Sequence, residues 1–175
     1  MTDASGHVVS VGFDELLESW RYAREGVIAE LENIPAASWT FRPSPPQRSV
    51  AELAQHIVDS GLLMSGELPR PDGDFTRQSH DAFMAEYGIA DPPDDRSALL
   101  ALLVTTHRDG DAALRAAGAA RLSAPITQFN GVAASRAAWM MHGIAHEEYH
   151  RGQIALYARL LGLVPKLTQV IQGNR

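Results

Sequence analysis

The stretch His142-Gly143-Ile144-Ala145-His146-Glu147-Glu148-Tyr149-His150-Arg151-Gly152-Gln153 places a histidine at every fourth position across three turns. At 3.6 residues per turn this spacing stacks three imidazoles along one face of a helix. The chain holds only seven histidines, so three in register weigh more than an arbitrary pair. The flanking residues extend the predicted helix from about Ala133 to Leu161, with Gly162 and Pro165 closing it.

Working outward, the rest of the chain reads the same way. Phe13, Leu16, Leu17, Trp20, Ala23, Val27, Ile28 and Leu31 recur at three- and four-residue steps, which predicts a first helix over about Ser10 to Asn33, stopped by Pro35. A proline-rich joint follows. Ser49 with Glu52 three residues later has the form of a capping box, opening a second helix from Val50 to about Gly66. Asp95 to Ala117 predicts a third long helix with Gly118 as terminator. The irregular stretch from Pro69 to Pro93 has room for a short helix near Ser79 to Glu86. It is either a cover over a pocket or a crossover joining two parallel helices. No segment alternates apolar and polar residues over a useful length. The expectation is an all-α fold, a four-helix bundle with four main helices, in one domain across residues 1–175 with a flexible amino terminus over 1–9.

Composition sets outer bounds. With 45% hydrophobic and 21% charged residues, the chain has the make-up of a globular protein. A formal net charge of −6 argues against a nucleic-acid partner held through phosphates. There is no cysteine, which excludes disulfides, thiolate ligands and a cysteine nucleophile. Met1 to His7 lacks the basic and apolar regions of a signal peptide, and the longest apolar run, Ala98 to Val104, is too short to span a bilayer. No membrane partner and a cytoplasmic location are therefore expected.

Imidazoles at i and i+4 can reach one metal ion, and His146 to His150 also fits the H-E-x-x-H pattern of zinc proteases. Those enzymes draw their third ligand from further along the chain. No histidine, aspartate or glutamate follows His150, so a protease is disfavoured. Glu147 with His150 has the Glu-x-x-His spacing of di-iron bundles, but no second such pair exists, so one metal is expected rather than two. A third ligand then has to come from upstream. His56 is the foremost candidate, since it lies between Leu53 and Ile57, where a buried neutral ring needs a partner. Taken alone, it could equally be a core histidine bonded to a backbone carbonyl. His80 in the irregular stretch and His107 on the third helix are rivals, and His7 falls on the tail.

Two motifs resemble a known family. Ser49-Val50-Ala51-Glu52-Leu53-Ala54-Gln55-His56-Ile57-Val58-Asp59-Ser60 is similar to the second helix of the DinB superfamily of DinB/YfiT-like metalloenzymes. His146-Glu147-Glu148-Tyr149-His150-Arg151-Gly152-Gln153, with Leu160-Leu161-Gly162 after it, resembles that family's last helix and its H-x-x-x-H-R-G-Q signature. The resemblance covers the whole chain in segment order. It implies a four-helix bundle with a long crossover, a three-histidine site for a divalent metal such as zinc or nickel, and a homodimer. Carried over position by position, the implied metal ligands are His56, His146 and His150. His142 is implied as a pocket residue one turn along the same face.

Several relatives in that family are thiol-dependent isomerases and S-transferases using bacillithiol, mycothiol or glutathione. The expected function is accordingly a metal-dependent enzyme acting on a small molecule, in which the ion activates a low-molecular-weight thiol. A hydrolase using metal-bound water and a non-catalytic metal- or ligand-binding stress protein are the alternatives. Glu147 is a candidate general base, although it lies about 100° around the helix from His146, where a solvated surface glutamate is the competing reading. Asp59, one turn from His56, is a candidate for orienting that ring, and Gln153 for supporting His150.

Overall fold

A computed structural model describes residues 12–173. The expectations for residues 1–9 and for His7 lie outside the described residues. Helix α1 spans Phe13–Glu32, and Glu15 reaches back to the Gly12 amide to cap it. A 3₁₀ turn over Ala36–Ser38 leads to α2, Val50–Glu67. Its start is the capping box read from the sequence: the Glu52 amide donates to Ser49 Oγ and the Ser49 amide to Glu52 Oε2. A short α3, His80–Tyr87, is capped by Ser79, and α4, Arg96–Ala117, is capped by Asp95. Gly118, at φ 80°, ends α4. The long α6 runs over Arg136–Leu160.

A short helix, a two-stranded hairpin and a last helix were not anticipated. After a short α5, Ala119–Ser123, strands β1 (Pro125–Thr127) and β2 (Ala133–Ser135) pair antiparallel, Ile126 opposite Ala134. Three residues per strand are too few for an alternating pattern to register. The hairpin corrects the start of the last helix from Ala133 to Arg136, because Ser135 is its N-cap and accepts from the Ala138 amide. Beyond Pro165 the chain turns helical again as α7, Lys166–Gly173. The buried Glu30 carboxylate accepts from the Lys166 and Leu167 amides, supplying an anion at this helix start.

The contacts fix the directions of the four long helices. Along α1 and α6, Trp20 meets Glu147 and Gly26 meets Arg151, so both advance together. Arg136 reaches the Leu68 carbonyl while His56 meets His146, so α2 runs against α6. Asp14 pairs with Arg115 and Arg24 reaches Leu103, so α4 runs against α1. Helices α2 and α4 are therefore parallel, and the segment between them is the crossover. It is fastened by the buried Glu67, which accepts from Arg77, Tyr87 and the Asp74 amide.

The interior divides into two apolar clusters. One gathers Val27, Leu31, Leu53, Ile57, Leu103 and Ile154; the other Trp20, Met64, Phe75, Phe83, Leu114 and Met140. Between them lie Arg24 of α1 and Glu147 of α6, an ion pair inside an apolar bundle, with Gly61 of α2 against the Arg24 guanidinium. No described helix is long and apolar enough to cross a membrane.

Candidate metal centre

Antiparallel packing of α2 on α6 brings His56 opposite the one-turn pair His146 and His150. His56 Nε2 lies 3.1 Å from His146 Nε2, which lies 3.0 Å from His150 Nε2. The three ligand atoms all fall within 4.8 Å of one another. Each ring is roughly edge-on to the others. His150 is only 4% exposed, and its Nδ1 is 2.7 Å from Gln153 Oε1. An amide oxygen can only accept, so His150 carries its proton on Nδ1 and turns the Nε2 lone pair toward the other two rings.

Electrostatics keep the cluster uncharged. Burial, then the charge of Arg48 and the neighbouring histidines, pushes His56 down to about 3. Burial and His150 push His146 down to about 4, and burial lowers His150 as well. Three neutral imidazoles whose Nε2 atoms crowd together suit a cation better than one another. Two nitrogens bound at about 2.0–2.1 Å to one ion sit roughly 2.9–3.4 Å apart between octahedral and tetrahedral angles. The two short Nε2 separations fall inside that range. The Gln153 contact on the far nitrogen of His150 is also the support that metal-bound histidines have. The residues present fit a divalent ion.

A cavity of about 240 Å³ opens beside the rings. Its walls are His56, His146, Leu63, Met64, Phe129 and Trp139, with His80 and His142 at the same cavity. The His142 ring stacks on Trp139 at 5.0 Å, apart from the three converging rings. The crossover and the hairpin supply His80 and Phe129, so the irregular stretch is both a crossover and part of a pocket wall.

Other sequence candidates sit elsewhere. Asp59 does not bond His56; its Oδ1 accepts from Gln55 and from the Ile89 amide, and so ties the crossover to α2. Glu147 is not a solvated surface residue. It is 2% exposed, with Oε1 accepting from Trp20 Nε1 (2.7 Å) and Arg24 Nη2 (2.7 Å), and Oε2 accepting from Arg24 Nε (2.9 Å). The 100° offset from His146 points it at α1 rather than at water. His107 is not solvated either; its ring packs 4.3 Å from that of Trp20. Sequence reasoning passed over Arg24, which lies inside the apolar stripe between Trp20 and Val27. A cation there was the signal for a buried carboxylate partner. Met64 and Phe129 were not singled out from the sequence.

The sequence profile of the DinB superfamily matches residues 19–154. Among solved structures, YfiT from Bacillus subtilis superposes with a TM-score of 0.66 at 18% identity, over 88% of this chain and 91% of that one. It is described as a probable metal-dependent hydrolase with an unusual four-helix bundle topology. The DinB-like YjoA of Bacillus subtilis gives 0.65 at 19% identity over 85% and 92% of the two chains. A DinB-like protein of Bacillus cereus gives 0.67 at 18% identity over 90% and 97%. At these identities the likeness speaks for the fold. No curated protein sequence matches.

Proposed function

The chain belongs to the DinB superfamily, and from that premise we propose that His56, His146 and His150 hold one divalent metal ion, zinc or nickel, at the centre of a small-molecule enzyme. The observation that carries this reading is the meeting of three Nε2 atoms, with Gln153 holding the His150 proton on the opposite side of its ring. When bound, such an ion supplies Lewis acidity, which favours the deprotonated form of a coordinating thiol or water.

The chain's own residues then decide what reaches it. Leu63, Met64, Phe129 and Trp139 give the cavity an apolar wall suited to an apolar electrophile and poor in water. Glu147 is the one carboxylate among the cavity residues, and both its oxygens are engaged by Arg24 and Trp20. It therefore orients α1 against α6 and is not assigned the role of base. His80 and His142 also line the cavity. A low-molecular-weight thiol needs the least help from a base, because it sheds its proton at a lower pH than water does. Thiol-dependent transfer or isomerisation is therefore the first reading. Hydrolysis is the second, and the description of YfiT favours it. A homodimer belongs to the same proposal, supported by the exposed Leu167, Val170 and Ile171 on α7.

The test is a panel of bacillithiol, mycothiol and glutathione with an aryl-halide or epoxide acceptor, run with metal-loaded and chelator-stripped protein. A rate requiring both metal and thiol is expected. Metal-dependent turnover of an ester or amide without thiol would transfer the assignment to hydrolysis, and a rate indifferent to metal would remove it.

A further inference from the structure

A second groove, of about 610 Å³, is lined in part by Gln153, the residue that grips His150. Gln47, Arg48, Leu53, Gln153, Leu156 and Tyr157 are among its walls, which include no aspartate or glutamate. The contrast with the first cavity is in charge: that one has no arginine or lysine, whereas this one has a guanidinium.

Arg48 has a fixed backbone and an exposed side chain. Its carbonyl accepts from Tyr157 Oη at 3.0 Å, which pins its backbone to α6. The next residue, Ser49, is the buried N-cap of α2. The neighbouring Arg42 is spent on Glu52 and on the Gln47 carbonyl. Among the described residues the Arg48 guanidinium has no hydrogen-bond or ion-pair partner, although most other arginines do. Of the residues lining the groove with it, Leu53 lies one turn from His56 on α2 and Gln153 bonds His150. An unpaired planar cation beside a neutral donor cluster favours a carboxylate, which it can grip with two parallel bonds.

We propose that this groove takes the carboxylate end of a small ligand whose reactive group lies at the histidine cluster, with Arg48 as the anchor. Resting on the metal reading above, this narrows the nucleophile to a carboxylate-bearing thiol, the apolar cavity being left to the electrophile. The division matches walls to partners: the groove holds the one guanidinium, and the first cavity holds Leu63, Met64, Phe129 and Trp139.

The experiment uses the full chain loaded with cobalt and follows the thiolate-to-cobalt absorption during titration with mercaptosuccinate or with neutral thioglycerol. Wild-type protein should bind mercaptosuccinate about tenfold more tightly, the scale of one charge-assisted contact that stays partly solvated. Arg48→Gln should erase that preference while cobalt uptake and thioglycerol affinity stay unchanged. Arg48→Lys should keep part of it, and Arg42→Gln should keep all of it. A preference that survives Arg48→Gln, equal affinity of wild-type protein for both thiols, or binding of neither would overturn the proposal. Failure of wild-type protein to take up cobalt shows before any thiol is added; that result would sink the metal reading itself and the groove assignment with it.

Discussion

Replacing Glu147 with glutamine keeps the side chain's shape and removes the charge that answers Arg24. Both partners are about 2% exposed, and Arg24 uses Nε and Nη2 on the carboxylate while Nη1 goes to the Leu103 carbonyl at 2.8 Å. The variant thus leaves a cation inside the bundle with one backbone acceptor, and Trp20 Nε1 competes for the remaining amide oxygen. Losing one member of a buried pair costs about 3–5 kcal/mol, and the retained amide oxygen and Leu103 contact place this case near the lower figure. For a chain of this size each kcal/mol lowers the melting temperature by about 2–4 °C, so a fall of roughly 6–12 °C is expected. Replacing both partners, Arg24→Met with Glu147→Leu, should recover most of the loss, because an apolar pair carries no desolvation cost. Calorimetric melting of chelator-treated wild type, the single variant and the double variant is the assay. Glu147→Gln should also keep its metal, since the carboxylate bonds α1 and not the imidazoles. A single variant melting within about 2 °C of wild type, or a double variant no better than the single, would refute the picture of a paired buried charge.

Other expectations follow from the same contacts. A Cβ on Gly110 would lie 2.7 Å from Ser65 Cβ and 2.8 Å from the rigid Trp20 ring, so Gly110→Ala should destabilise by about 1–3 kcal/mol in urea unfolding despite its better helix propensity. Gly152 on α6 has nothing within 4 Å, so Gly152→Ala should stabilise by about 0.5–1 kcal/mol; a loss there would show that something docks on that face. The folded values of His56 and His146, about 3 and about 4, lie below the ordinary 6.5, so the unfolded chain binds more protons over that interval. Their contribution to the metal-free protein is full above about pH 6.5 and erodes as the pH falls from there toward the folded values. The urea midpoint should therefore drop between about pH 7.5 and about pH 5, and His56→Gln should show a shallower drop; parallel curves would contradict the assignment.

The long helices were legible because each wrote its own period and stops: Ser49 with Glu52, Asp95, Gly118 and Gly162 stand at the ends they signalled. The site was half legible. His146 and His150 declare themselves on one helix, whereas His56 depends on α2 running against α6, a relation between segments 90 residues apart that no local pattern encodes. The offset of Glu147 was read correctly as an angle and wrongly as exposure, since α1 covers that face. The hairpin escaped because three-residue strands carry no period, and α7 because Pro165, expected only as a stop, immediately precedes a new helix start fed by Glu30.

Metal content, measured by elemental analysis on protein purified without an affinity tag and dialysed against zinc or nickel, meets the main claim head-on. About one ion per chain is expected, with X-ray absorption showing three imidazole nitrogens near 2.0–2.1 Å, and occupancy should be lost in His56→Ala as fully as in His150→Ala. Full occupancy retained after His56→Ala, or no ion in wild-type protein, would contradict it.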